Sequence, residues 1–336
     1  MASLPETTRA VELRAYDEQN IAVFPITRTL PALRNGQVMV RMHAASINPS
    51  DISFMRGQYG IKKKLPAVPG FEGCGTVIAS GGGMLGAYLK GKRVSCAAAM
   101  DQDGTYAEYM VTQASTCLPL KSFIPDELGA TMIVNPFTAW ALVAGIARKE
   151  GYHAIVQNAA AGALGRMIYR LAAKLGMEVI NIVRRPEQVE ELRREGARHI
   201  LLSDDDRFDR ELAALCKKLN ARIAFDAVAG EATESLCTAM PPGSRVIVYG
   251  GLSGAKCAIQ PGLLIFGGQC IEGFWLSRWL AEQGAVHTLR LASRLQKLAP
   301  DVLKTNIRDK VPLDEASRAI QMYTDNMTAG KILIIP

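Results

Sequence analysis

Residues 153–165, HAIVQNAAAGALG, carry a short apolar segment into a turn of small residues and on into a helix. Past the turn, Leu164, Met167, Ile168, Leu171 and Leu175 recur at three- and four-residue spacing, which is one apolar stripe. Apolar segments EVINIV, HILLS, RIAFDAV and SRVIVYG follow, separated by helical stretches such as PEQVEELRREG. Strands that are apolar on both faces need cover on both faces. The alternation therefore predicts an α/β fold, a doubly wound parallel sheet over residues 123–267.

The turn itself predicts a dinucleotide site. A phosphate-binding turn of this kind uses one glycine for tightness, one for approach of the pyrophosphate and one for helix packing. Gly162 and Gly165 take the second and third places, and Ala160 stands at the first. Backbone N–H groups at the helix start then face the pyrophosphate, aided by the helix dipole. Asn158, Ala163 and Leu164 complete this expected cofactor-binding set. At the end of the second strand an acidic residue would bond the ribose hydroxyls of NAD. This chain has VRRP instead, and Arg184 and Arg185 suit a ribose 2′-phosphate, so NADPH is the expected cofactor. The plainer alternative is a small-residue packing turn and a solvated strand end.

Before residue 122 the pattern differs. VMVRMHAA, GTVIAS, GKRVSCAAA and TYAEYMVT are short runs broken by turn residues, as in antiparallel strands of a barrel-like sheet. The last seventy residues end in KILIIP and are expected to return to this first domain. The expected division is 1–122, 123–267 and 268–336. Hydrophobic content of 49% with 21% charged residues fits a soluble globular protein. No apolar run approaches the roughly 18–20 residues of a membrane span. The seven cysteines form no CxxC pair, which favours reduced thiols over disulfides or structural zinc, and the opening MASLPETTRAVEL does not read as a signal peptide. A cytoplasmic location is expected. The net charge of +7 favours anionic partners, but the basic residues are spread along the chain, so a nucleic-acid face is not expected.

A barrel-like domain, a dinucleotide domain and a returning tail resemble the medium-chain dehydrogenase/reductase superfamily, with its GroES-like catalytic domain. Its zinc alcohol dehydrogenases carry a Gly-His-Glu turn whose histidine binds metal. In VPGFEG, residues 68–73, Phe71 holds that place, and Asn48 in INPSDI stands where a cysteine ligand would be. The lobe with four closely spaced cysteines is absent. Zinc requires several sulfur and nitrogen ligands in a tetrahedron, so a zinc-less member is expected, with no metal. Glu72 is then read as a structural carboxylate accepting hydrogen bonds in its turn. His43, His153, His199 and His287 fall into no ligand spacing. Within the superfamily, NPSDISFMRGQYG, AVPGFEG, NPFTAW, VIVYGG and LLIFGGQCIEGFWLSRW resemble the mitochondrial-type 2-enoyl thioester reductases, and quinone oxidoreductases share much of the scaffold.

That resemblance implies hydride transfer from NADPH to an α,β-unsaturated thioester, with an enolate to stabilise. Tyr59 in GQYG matches the tyrosine of these reductases, and a phenol near pKa 10 stays protonated and able to donate. Asn48 is expected beside the nicotinamide or the tyrosine, and Thr138 near the nicotinamide ribose. The turn Tyr249-Gly250-Gly251 lies at a strand end. Phe274 and Trp275 are expected at the carboxamide and acyl pocket, and Lys331 at a cofactor phosphate. Each has a plainer reading: a turn residue, a helix cap, a core aromatic. CIEGFWLS is expected to pair in a homodimer. The alternatives are a quinone or enone reductase, and a non-catalytic NADPH-binding regulator or RNA-binding protein.

Overall fold

The computed structural model describes residues 4–99 and 102–336. The first three residues of the opening segment lie outside the described part. The chain divides into two compact units. The first runs up to Val134 and includes Ala285–Pro300 and Lys304–Pro336; the second is Asn135–Gly284 with Asp301–Leu303. The boundary expected near 122 thus falls twelve residues later, and the segment 268–284 goes with the second unit.

In the first unit, β1 (Thr7–Leu13) pairs antiparallel with β2 (Val23–Thr29). Next come β3 (Gln37–Ser46), β4 (Glu72–Ser80), β5 (Arg93–Ala97), β6 (Tyr109–Gln113) and β7 (Cys117–Pro119). The second unit holds β8 (Ala154–Gln157), β9 (Glu178–Val183), β10 (His199–Leu202), β11 (Ile223–Asp226), β12 (Arg245–Val248) and β13 (Cys270–Gly273). The tail returns as β14 (Ile307–Pro312) and β15 (Lys331–Ile335). These close the first unit's sheet in the order β14-β15-β3-β4-β5-β7, with β6 also on β3. Strand β3 is nearly all buried because it is covered on both faces. Val38, Val40 and Met42 enter one apolar cluster, while Ala45 enters another.

The turn VPGFEG positions the head of β4. Gly70 has φ +99°, and a Cβ there would stand 2.3 Å from Thr105 Oγ1, so glycine alone fits. The chain then enters β4 at Glu72.

In the second unit all paired strands are parallel, in the order β10-β9-β8-β11-β12-β13. The order reverses between β8 and β11, where open sheets of this kind bind ligands at the carboxyl edge. The helix Ala163–Lys174 buries Gly165, Met167, Ile168 and Leu171 as its stripe predicts, with Leu164 and Leu175 half-buried at its ends. Gly165 is required by packing: a Cβ would lie 2.6 Å from the Ala160 carbonyl oxygen. No helix among the described residues is long and apolar enough to cross a membrane.

Candidate active site

Four segments singled out by sequence begin where parallel strands of the second unit end. Asn158–Gly165 follows β8, Arg184 and Arg185 follow β9, Tyr249–Gly251 follows β12, and Phe274 and Trp275 follow β13. Parallel topology thus brings them to one edge of one sheet. Helix Ala163–Lys174 starts at this edge, so its unpaired N-terminal amides and positive dipole end are available to an anion. Ala159 bends the turn at φ +48°, and its carbonyl accepts Gly162 N–H at 2.9 Å.

The side chain of Asn158 is not presented to a ligand. Its Nδ2 donates to Asp226 Oδ1 at 2.6 Å, and its Oδ1 accepts Ala227 N–H at 2.7 Å. Asp226 is fully buried and also accepts from Val228 N, Ala229 N and Thr233 Oγ1 at 2.7–2.9 Å. Asn158 therefore ties the ends of β8 and β11, and any ligand contact there falls to its backbone. Arg184 and Arg185 are exposed, and both backbone amides donate to Gln188 Oε1 at 3.2 Å. A buried glutamine thus fixes the strand end while the guanidinium groups reach solvent. Gly250 is needed for close approach, since a Cβ would lie 2.8 Å from Ala227 O, whereas Gly251 faces open space. Phe274 N–H donates to Val248 O at 2.8 Å, and both Phe274 and Trp275 are half-buried. Thr138 is buried on the helix Val134–Trp140.

In the first unit a buried ionic network holds the backbone of Phe71, whose ring packs against Tyr59. Asn48, Asp51 and Glu72 are fully buried, and Lys331 is 1% exposed. Glu72 Oε1 accepts Ser46 Oγ at 2.9 Å and Asn48 Nδ2 at 3.0 Å; Oε2 accepts the amides of Ile133 and Val134 at 3.0 and 2.9 Å. The expected role of Glu72 as a hydrogen-bond acceptor in its turn matches this geometry. Asp51 accepts Asn48 N–H and Phe71 N–H, each at 2.8 Å. Lys331 Nζ donates to Ile47 O at 2.9 Å and to Asn48 Oδ1. Burial pushes the Asp51 carboxyl up to about 7 and pulls the Lys331 ammonium down to about 8. The phenols of Tyr106 and Tyr323 are pushed up by burial and then by the nearby Asp51 carboxylate.

Two expectations change here. Lys331 does not extend to a cofactor phosphate, because its ammonium is enclosed and bonded to Ile47 and Asn48. Nor does Asn48 offer its amide to a ligand. Both Nδ2 hydrogens are taken, by Ser46 Oγ at 3.1 Å and by Glu72, and Oδ1 accepts from Lys331. Asn48 stands at the head of the helix Pro49–Met55, the element that precedes Tyr59 in the chain. The Tyr59 ring is half-buried, 5.0 Å from the Phe71 ring, which itself packs 5.6 Å from Phe54. A carbon ring at position 71 and a saturated amide at 48 supply no zinc ligand, so a catalytic zinc does not fit these residues.

Sequence reasoning gave no role to Ser46, Asp51 or Asp226. Asp51 had a visible signal, for it stands three residues after Asn48 in NPSD, the spacing of a reciprocal helix cap.

A doubly wound sheet with a helix start at its reversal point, joined to a mostly β unit closed by the tail, defines the two-domain dehydrogenase class. An alcohol dehydrogenase GroES-like domain model matches residues 34–122, and a zinc-binding dehydrogenase model matches residues 163–291. The mitochondrial enoyl-[acyl-carrier-protein] reductase of Bos taurus is 31% identical over 311 residues, covering 91% of this chain and 82% of that protein. The Mus musculus enzyme of the same name is 34% identical over 255 residues, 74% of this chain and 67% of that one. A Mesorhizobium loti structure, provisionally assigned as an NADPH:quinone reductase, is 35% identical with a TM-score of 0.92 and full coverage of both chains. The chain belongs to the medium-chain dehydrogenase/reductase superfamily of oxidoreductases.

The network yields a stability prediction with a defined pH sign. Asp51 is raised above the ordinary carboxyl range, so its burial costs folding stability as pH rises from about 4 toward 7. Lys331 provides the compensating charge once Asp51 ionises. Lys331→Met is expected to cost about 3–5 kcal/mol near neutral pH, as for a broken buried pair, and less at acidic pH where Asp51 is protonated. Urea unfolding of both proteins across this range measures the gap; a gap that stays constant with pH contradicts the coupling.

Proposed function

We propose that this protein reduces the C=C bond of a 2-enoyl thioester with NADPH, the Tyr59 hydroxyl assisting. One observation carries the reading. With no metal ligand at positions 48 and 71, the first unit has a half-buried phenol packed at a tilt on Phe71, in the loop after the helix that Asn48 and its buried network begin. Mitochondrial enoyl-[acyl-carrier-protein] reductases at 31–34% identity support the thioester as substrate. NADPH supplies a hydride for the β-carbon, and negative charge then gathers on the thioester oxygen. A neutral phenol donating to that oxygen stabilises the enolate without changing its own charge. At the sheet edge, the amides starting helix Ala163–Lys174 hold the pyrophosphate, and Gly250 and Gly251 let the backbone approach the cofactor. The exposed Arg184 and Arg185 pair with the 2′-phosphate, which favours NADPH over NADH.

A second reading is an NADPH-dependent quinone or enone reductase, favoured by the 35% identical structure assigned to that activity. Both use the same cofactor edge and differ in the acceptor. The assembly we propose is a homodimer. Strand β13 pairs only with β12 among the described residues, and Ile265 and Phe266 just before it are 70% and 88% exposed.

Initial rates with enoyl thioesters, enones and quinones, each with NADPH and NADH, are expected to be highest for an enoyl thioester with NADPH. Quinone turnover alone selects the second reading. Tyr59→Phe should lower kcat by about 10²-fold with cofactor affinity retained; unchanged turnover removes the phenol from the reaction. Neutral replacement of Arg184 and Arg185 should weaken NADPH about 10–100-fold and leave NADH nearly unaffected, as titration calorimetry would show. Equal losses for both cofactors contradict the assignment. Sedimentation of the intact protein should give a dimer, and a monomer at micromolar concentration would remove the β13 interface.

A further inference from the structure

His43 occupies a break in the register of β3. Met42 opposes Gly75 and Ala44 opposes Cys74 on β4, which leaves His43 as the extra residue of a bulge. Bulges re-aim a side chain out of the regular alternation. This one brings His43 to Cys74 and to Asp126, the first residue of the helix Asp126–Gly129. An imidazole nitrogen, the Cys74 Sγ and an Asp126 carboxylate oxygen all lie within 4.8 Å of one another.

The surroundings organise these atoms as donors. His43 Nδ1 is 2.8 Å from Asp126 Oδ2, and His43 Nε2 is 3.2 Å from Thr76 Oγ1. The Asp126 carboxylate can only accept, so Nδ1–H donates to Oδ2 and Nε2 accepts from the Thr76 hydroxyl; a metal takes the Nδ1 lone pair when that proton moves to Nε2, which then donates to Thr76. Arg93 Nε donates to Asp126 Oδ1 at 2.9 Å, and Arg93 Nη2 also donates to Ile124 O at 2.7 Å. The guanidinium thus orients the carboxylate from one side while Oδ2 stays on the other, as outer partners of metal ligands do. Cys74 is buried, whereas the side chains of His43 and Asp126 are 24% and 38% exposed, which gives an entry path.

We propose that His43, Cys74 and Asp126 form a three-ligand site for zinc or another thiophilic divalent ion. One sulfur, one imidazole nitrogen and one carboxylate oxygen make a zinc donor set with a fourth position left for water. A single carboxylate beside a thiol is a poor site for magnesium or calcium, which need several oxygens. Tetrahedral ligand bonds of about 2.0–2.3 Å set donor separations of about 3.3–3.6 Å, so the His43–Asp126 pair at 2.8 Å opens slightly, and any wider pair, at most 4.8 Å apart, closes. On binding, the Sγ–H bond breaks, an Sγ–metal bond forms and the proton goes to solvent, with no change of oxidation state. The ion clips the helix Asp126–Gly129 to β3 and β4. It uses no atom of the Asn48–Glu72–Lys331 network and is independent of the proposed reaction.

The test is zinc titration of the full chain against a chromophoric chelator. Cys257 and Cys270, the exposed thiols, are replaced by serine in every protein compared. One zinc per chain is expected, with a thiolate-to-metal absorption band when cobalt replaces zinc. Cys74→Ser and His43→Asn should each weaken binding beyond the roughly 100-fold loss at the upper end for outer partners. His43 is half-buried on its bulge, so His43→Asn guards against misfolding of the Cys74 variant, with circular dichroism as the check. Zinc bound equally by the parent and both variants, or cobalt bound without the thiolate band, or no stoichiometric binding, overturns the site.

Discussion

The first unit depends on one ammonium group held away from water. Lys331 reaches from the last strand to Ile47 and Asn48, and its charge faces Asp51 and Glu72 in the same buried space. Burial of an ion is costly unless its partners are fixed, and here most partners are backbone atoms. Glu72 collects the amides of Ile133 and Val134, while Asp51 collects those of Asn48 and Phe71. The tail, the end of β3, the helix Pro49–Met55, the head of β4 and the close of the first unit are therefore set by one group of charges.

The second unit solves a different problem, that of leaving a strand edge open without leaving it loose. Asn158 and Asp226 bond across the reversal of strand order, and Asp226 gathers four donors from the segments around it. Gln188 does the same at the end of β9. Buried polar side chains thus take up the backbone amides of these turns from behind, while Arg184 and Arg185 stay exposed. Rigidity at such an edge lowers the ordering cost of binding.

Much of this was legible in the sequence. Apolar periodicity in residues 164–175 and the continuous runs that follow identified the doubly wound sheet, because period and cover are local properties of the chain. The glycines at 162 and 165 were visible for the same reason. The directions of the Lys331 and Asn48 side chains were not legible, because residue type and position along a motif do not reveal direction: a lysine near a tail strand reads the same whether it faces solvent or a carboxylate. The contact between Lys331 and Asn48 spans 283 positions. The bulge at His43 was equally hidden, since a slipped register leaves no mark on composition or spacing.

The network also explains how one position can change chemistry while its scaffold stays intact. Asp51 holds residue 71 by its backbone N–H, and Glu72 likewise bonds backbone amides at 133 and 134. None of these bonds depends on which side chain residue 71 carries. A phenyl ring there joins the row Tyr59, Phe71, Phe54 and Tyr16, whose centroids are 5.0–5.6 Å apart. That row packs the Tyr59 ring against the Phe71 ring. Scaffold and side chain are thus separable at this turn: the carboxylates hold the backbone, and their bonds leave the side chain at position 71 free to vary.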